Sequence, residues 1–325
     1  MKATKDKFLV GIDIGGTKTA VLLSAVPPGV ITRTEFATRP AQGPERALGL
    51  IKSGIREMLA EQGADASGIA RLGVSCGGPL DRVQGIIQSP PNLPTWDEVP
   101  IKAILEQAFH AECLIENDAN AGAVAEHRFG AGQGCQNMVF LTMGTGLGAG
   151  IITDGRLYRG TNDLAGEVGH LRLTRTGPMG HNKKGSAEGW ASGGGMAQVA
   201  QQAVAAALKK KRSTRLAKLF RSGGPITAKD IAIAARAGDK VALEVLGTTG
   251  EKLGEVLALL IDLLNPDRIV IGGLAMRLGD LLLEPARRII QREALDLPAR
   301  TCQVIPAELG ESIGDAAALC VAMGI

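Results

Sequence analysis

Cysteine is sparse and scattered in this sequence. The five residues, Cys76, Cys113, Cys135, Cys302 and Cys320, are odd in number and include no C-x-x-C pair. That pattern excludes a disulfide framework and a standard zinc site, and it fits reduced cytosolic thiols. Aromatic residues make up only 3%, so the core must be built from Ala, Val, Leu and Ile. No apolar run reaches the length of a membrane span, and the charged start MKATKDK runs straight into a strand without a signal-peptide pattern. Net charge is only +3, too small to point to a nucleic-acid or membrane partner. Two phosphate signatures are missing as well. There is no G-x-x-x-x-G-K-[ST], and the glycine spacing is not that of a dinucleotide fold.

What is present is a chain of 325 residues, long enough for two domains, with glycine concentrated at strand ends. Phe8 to Ile14, Thr19 to Ser24 and Val30 to Ala37 read as strands of a meander around a glycine turn. Pro44 to Glu61 has helical spacing, with Ala47, Leu48, Ile51, Ile55, Met58 and Leu59 on one face. Ile69 to Ser75 is a buried strand, Ile101 to Phe109 a helix and Glu112 to Ile115 a short strand. Asp118 to Phe129 is a helix capped at Asn117 or Asp118. Gly238 to Leu264 is a long apolar helix stopped at Asn265-Pro266. Arg268 to Ile271 is a strand, and Arg277 to Ala294 and Gly314 to Met323 are helices. Alternation of this kind gives an α/β fold.

One pattern occurs twice. GIDIGGTKTAVLL (11–23) aligns with FLTMGTGLGAGII (140–152) without a gap, which places Gly15 on Gly144, Ala20 on Ala149, Leu22 on Ile151 and Leu23 on Ile152. A repeated strand, glycine turn and strand suggests duplicated domains facing a cleft.

The motifs carry the chemistry. In DIGGTKT, Gly15 and Gly16 let backbone N–H groups approach a phosphate, Thr17 adds a hydroxyl, Lys18 a charge, and Asp13 could hold Mg²⁺ through water. Gly144, Thr145 and Gly146 offer the same chemistry in the second copy. In ENDANAGAVAEH, Asp118 follows a strand and opens a helix, whose N-terminus favours the ionised form a general base needs. Taken alone, Asn117 and Asp118 read first as a plain helix cap. GEVGH (166–170) and Glu188 suit a polyhydroxyl ligand, although singly Glu167 reads as a solvated acid and His170 as a structural histidine. PPNLPTW (90–96) makes a rigid loop around Asn92 or a simple connection. The run 209–221 carries seven cations and no acid; it reads as a solvated helix face and linker or as a phosphate-steering patch.

Together these motifs resemble the ROK family (repressor, open reading frame, kinase), which includes bacterial glucokinases, fructokinases and N-acetylhexosamine kinases. The resemblance covers nearly the whole chain, in family order: DIGGTK (13–18), GGP (77–79), PNLPTW (91–96), ENDANAGA (116–123), GTGLGAGII (144–152), GEVGH (166–170) and NPDRIVIGG (265–273). It implies a two-domain actin-like ATPase (ribonuclease H-like) fold with a ligand cleft between the domains. We expect a first domain over 1–117, joined by the C-terminal helix 314–325, and a larger second domain over 118–313. The implied activity is ATP- and Mg²⁺-dependent phosphorylation of a hexose at a primary hydroxyl, with Asp118 as base. The implied sugar pocket is Gly78, Asn92, Asn117, Asp118, Glu167, His170 and Glu188. Gly16, Thr17 and Thr145 would hold the transferring phosphoryl group, and Gly272 and Gly273 the adenosine. The resemblance further implies a cytoplasmic homodimer. A polyphosphate or ADP donor, and a non-catalytic sugar-binding regulator, stay open as alternatives.

Two departures stand out. The family's zinc motif, C-x-C-G-x-x-G-C-x-E, reads MGHNKKGSAE here, with Met179, His181 and Ser186 at the cysteine positions. Thioether and hydroxyl are poor zinc ligands, so no structural zinc is expected, and the loop should be held by Trp190 and by Ser186 or Asn182. Family repressors carry a winged helix ahead of the first glycine motif. Only seven residues precede Phe8, so no DNA-binding domain is expected.

Overall fold

The computed structural model describes residues 7–324, and within them the chain folds as two units. One is the chain up to Gly130 together with the stretch from Glu311 onward; the other is Ala131–Gly310. The expectations about residues 1–6 and Ile325 lie outside the described residues. The division falls beyond the expected position at Asp118, because the helix that starts there packs on the C-terminal helix of the first unit.

The first unit runs β1 (Phe8–Ile14), β2 (Lys18–Ser24), β3 (Thr32–Ala37), α1 (Pro44–Glu61), β4 (Ile69–Cys76), the short β5 (Leu80–Asp81) and β6 (Ile86–Ile87), α2 (Ile101–Phe109), β7 (Cys113–Asn117) and α3 (Asp118–Phe129). Its main sheet has the order β3-β2-β1-β4-β7, an antiparallel meander extended by two parallel strands. Alternation decides the two faces. Val10, Ile12, Ile14, Val21 and Leu23 pack with the buried face of α1, whose six predicted core residues are all buried. Gly11 and Leu22 point the other way, toward the C-terminal helix.

The second unit continues with β8 (Met138–Met143), β9 (Leu147–Thr153), β10 (Arg156–Tyr158), β11 (Met179–Gly180), β12 (Lys183–Lys184), α4 (Ala187–Ala191), α5 (Gly193–Lys209), α6 (Ala217–Arg221), α7 (Ala228–Arg236), α8 (Lys240–Leu264), β13 (Arg268–Gly273), α9 (Leu274–Leu278), α10 (Asp280–Glu293), α11 (Asp296–Thr301) and β14 (Gln303–Pro306). The chain closes, back in the first unit, with α12 (Ile313–Met323). The second unit's main sheet has the order β10-β9-β8-β13-β14. This is the strand order of the first sheet, so the repeat seen in sequence is a repeat of architecture. The turns are not identical, however. The first hairpin closes on Ile14 and Thr19, the second on Met143 and Leu147, one residue tighter.

Helix ends follow local chemistry. Asp239 caps α8 by accepting from the N–H groups of Val241 and Ala242, and Asn265 ends it in the left-handed region (φ 43°) just ahead of Pro266. The single helix expected over Arg277–Ala294 is instead α9 and α10, broken at Gly279, whose φ of 55° no helix admits. The basic run 209–221 is the end of α5, a connecting segment and α6. Among the described residues all five cysteines are free, and no helix is long and apolar enough to cross a membrane.

Candidate active site

In the first unit, register builds the site. The parallel strands β1, β4 and β7 end together: Asp13 is level with Ser75 and Glu116, and Ile14 with Cys76 and Asn117. The residues just past that edge are therefore Gly15-Gly16, Gly77-Gly78 and Asp118. Asn92 reaches the same edge from the 90–96 loop. Its backbone carbonyl would lie 2.5 Å from a Cβ on Gly16, so that turn admits only glycine. Its side-chain amide lies beside Gly77.

Asn117 serves as cap and leaves an amide over. Its Oδ1 accepts from the N–H groups of Ala119 (3.0 Å) and Asn120 (3.3 Å), while its Nδ2 lies against Gly78. Asp118 is exposed at the first turn of α3, and its Oδ1 accepts from the Ala119 N–H at 2.8 Å. Behind it, the buried Glu116 accepts from the Asn117 N–H (3.0 Å) and from Asn120 Nδ2 (3.1 Å), which fixes the strand-to-helix junction.

Asp13 is held in a field of carboxylates. Burial first, then the charges of Asp118 and Asp315, push its carboxyl up to about 7, against the opposing pull of Lys18 and Arg33. Gly314 at the start of α12 makes room for it, since a Cβ there would meet Asp13 Oδ2 at 2.2 Å. A site with surplus negative charge and an oxygen donor fits a hard divalent cation such as Mg²⁺. Lys18 turns sideways: its Nζ is 3.0 Å from Glu35, which also pairs with Arg33 at 2.6 Å, and Arg33 reaches Asp315 at 2.9 Å.

In the second unit, the turn Gly144-Thr145-Gly146 is gripped by the start of α5. The N–H groups of Gly193 and Gly194 donate to the carbonyls of Gly144 (2.8 Å) and Thr145 (3.0 Å). Glu188 Oε2 accepts from the Leu147 N–H at 3.1 Å and lies 3.4 Å from His181 Nε2. The His181 ring sits 4.7 Å from that of His170. Glu167 is exposed just ahead of the helical turn Val168–His170. Gly272 and Gly273 pair with Thr142 and Met143, one step from the glycine turn. The sequence-derived residues thus form two groups: Asp13, Gly15, Gly16, Thr17, Gly78, Asn92, Asn117 and Asp118 in one unit, and Gly144 to Gly146, Glu188, His170, Gly272 and Gly273 in the other.

The departing loop has its own support. Residues 179–184 form a hairpin, with His181 (φ 46°) and Asn182 (φ 57°) both left-handed at its turn. Ser186 Oγ donates to the Gly180 carbonyl (3.3 Å) and accepts from the Gly189 N–H (3.1 Å), and Trp190 Nε1 donates to Thr174 Oγ1 at 2.7 Å. No side-chain bond from Asn182 is found among the described residues. Within those residues no group of three His, Cys, Asp or Glu side chains is placed to hold a metal ion.

As site residues the sequence does not mark Thr38, Glu116 and Gly314, and it marks His181 only as a zinc-motif position. Glu116 stood inside a recognised motif, and a buried acid beside a strand end was its signal. The others act through contacts between residues distant in sequence.

Two α/β units with the same strand order, each presenting a glycine turn, define the two-domain actin-like ATPase fold. Within that class the chain belongs to the ROK family, whose model matches residues 9–323. It is 32% identical over 311 residues to a glucokinase of Halalkalibacterium halodurans, covering 95% of this chain and 93% of that protein. It superposes on a ROK family glucokinase from Streptomyces griseus, solved with glucose and AMPPNP, with a TM-score of 0.76 at 32% identity over 96% of this chain and 98% of that one. It is also 29% identical to a xylose repressor of Caldicellulosiruptor bescii, over 88% of this chain and 70% of the repressor.

Proposed function

We propose that this protein is an ATP-dependent hexose kinase of the glucokinase type, with Asp118 as general base. The observation that carries the reading is the common ending of β1, β4 and β7, which sets Asp118, Asn117 and Asp13 along one edge beside a glycine turn, where Asn92 meets them from its loop. Phosphoryl transfer needs little else from a protein than positioning and charge compensation.

In this reading Asn92, Asn117 and Gly78 orient the sugar, with Glu167, His170 and Glu188 completing its recognition. Asp118 takes the proton from a primary hydroxyl. The freed oxygen forms a bond to the terminal phosphorus of ATP, the bond to the leaving oxygen breaks, and ADP departs. The amides at Gly16, Thr17 and Thr145 receive the phosphoryl oxygens, and Gly272 and Gly273 border the adenosine. Asp13 would hold Mg²⁺ through water, and the charge such an ion supplies would offset that of the phosphates. A cytoplasmic homodimer belongs to the same proposal and rests on family membership.

The repressor relative keeps a second reading in play, a sugar-responsive regulator without turnover. A panel of hexoses and N-acetylhexosamines, assayed with ATP, ADP and polyphosphate as donors, decides between them. We expect ATP-dependent product with glucose or a close epimer. Sugar binding without transfer from any donor would favour the regulator.

A further inference from the structure

The first glycine turn is not free-standing. Thr38, the residue after β3, is 1% exposed and closes on the turn with two bonds. Its N–H donates to the Thr17 carbonyl at 3.0 Å, and its Oγ1 donates to the Gly15 carbonyl at 2.7 Å. The hydroxyl has a single proton, so at the 2.9 Å contact with Thr19 Oγ1 it is Thr19 that donates. Thr38 thus draws both turn carbonyls to one side.

A trans peptide points its C=O and the following N–H in opposite directions. With the Gly15 carbonyl turned in toward Thr38, the Gly16 N–H is turned out. On another side Asn92 abuts Gly16, and the Asn92 loop is tied back to the Thr38 segment where Thr95 Oγ1 donates to the Pro40 carbonyl at 2.9 Å. Arg39 (φ 50°) and Thr95 (φ 78°), on either side of that tie, are both in the left-handed region. A β-branched residue there is strained, and it persists only where its surroundings hold it.

We propose that Thr38 is a positioning residue that orients the Gly16 amide toward phosphate. This rests on the reading that the turn receives the phosphates of a nucleotide. Thr38 itself touches no reacting atom. It acts through the direction of a peptide plane, and its hydroxyl is the component that substitution can remove without loss of volume.

The test is the dissociation constant of Mg²⁺·AMPPNP, measured by calorimetry for the wild type, Thr38→Val, Thr38→Ser and Thr19→Val. Thr38→Val keeps the shape but lacks the proton donor, and should bind about tenfold more weakly, the equivalent of one lost buried hydrogen bond. Thr38→Ser restores the donor and should bind within about twofold of wild type. Thr19→Val removes the neighbouring hydroxyl but leaves the bond to Gly15, and should also bind normally. Should Thr38→Val fail to fold, Thr38→Cys, close in volume and a weak donor, is read in its place. Wild-type affinity in Thr38→Val, or an equal loss in Thr19→Val, would overturn the proposal and reduce the hydroxyl pair to core packing. A wild-type protein that binds no nucleotide would overturn both this inference and the kinase reading, and so is told apart from failure of the inference alone.

Discussion

The backbone carbonyl of Asn92 stands 2.5 Å from the point where a Cβ on Gly16 would lie, so the 90–96 loop and the first glycine turn are in direct backbone contact. Backbone atoms cannot swing aside as a side-chain end can. Gly16→Ala must therefore displace one of the two loops. We expect a loss of about 2 kcal/mol in stability, typical of overpacking, with a larger fall in turnover than in sugar affinity. Denaturant unfolding and steady-state kinetics check this; an alanine variant of wild-type stability and turnover would contradict the contact.

Asp118→Asn removes the proposed base but keeps the N-terminal position of α3 and an acceptor oxygen for the Ala119 N–H. Turnover should fall by roughly 10² to 10⁴ while sugar still binds. Turnover close to wild type would remove Asp118 from the proposed role.

Asp13 makes a prediction about pH. Its carboxyl titrates at about 7 in the folded protein against 3.8 ordinarily, so through that window the folded state holds a proton that the unfolded state has lost. Its contribution to stability is fully present below 3.8 and is lost as pH rises to about 7. The full difference would be worth about 4 kcal/mol, and part-exposure of the side chain brings the expected loss to about 2 kcal/mol. Urea unfolding of ligand-free protein across this range should show the decline, and Asp13→Asn should flatten it. A stability that climbs over the same interval in the wild type would contradict the assigned shift.

The 179–188 loop makes a prediction about metal. Ser186 stands in a buried position where a thiolate would be expected, and it holds Gly180 and Gly189 by hydrogen bonds. Purified protein should contain far less than one zinc per chain, and a strong chelator should leave its Tm unchanged without nucleotide. Ser186→Ala should cost about 1–2 kcal/mol through loss of a buried cap. Stoichiometric zinc by elemental analysis would mean that other ligands have been recruited.

The features legible in sequence are those written in local periodicity or local chemistry. Both glycine hairpins, the core face of α1 and the proline stop after α8 are of this kind. Sequence leaves Asn117 open as cap or site residue; in the structure its Oδ1 serves the cap, and its Nδ2 lies beside Gly78. The unread features depend on contacts between residues far apart in the chain. Thr38 follows the glycine turn by some twenty residues, and nothing in TRTEFATRP marks it. The His181-Asn182 turn was hidden because neither residue is glycine. The break between α9 and α10 did have a local signal in Gly279, outweighed by the apolar spacing on both sides.

The one-residue difference between the two hairpin turns means that the repeated segments are related without being interchangeable. In β2, Ala20 stands opposite Asp13; in β9, its sequence counterpart Ala149 stands opposite Leu141, which corresponds to Ile12. Successive side chains on a strand point to opposite faces, so a slip of one residue exchanges inside and outside. A chimera carrying residues 144–152 in place of 15–23 would keep the glycine at 15, the alanine at 20 and the apolar pair at 22 and 23 in their columns, would put a threonine where Gly16 stands, and would turn the second strand inside out. The two halves share a strand order, but one cannot serve as a spare part for the other.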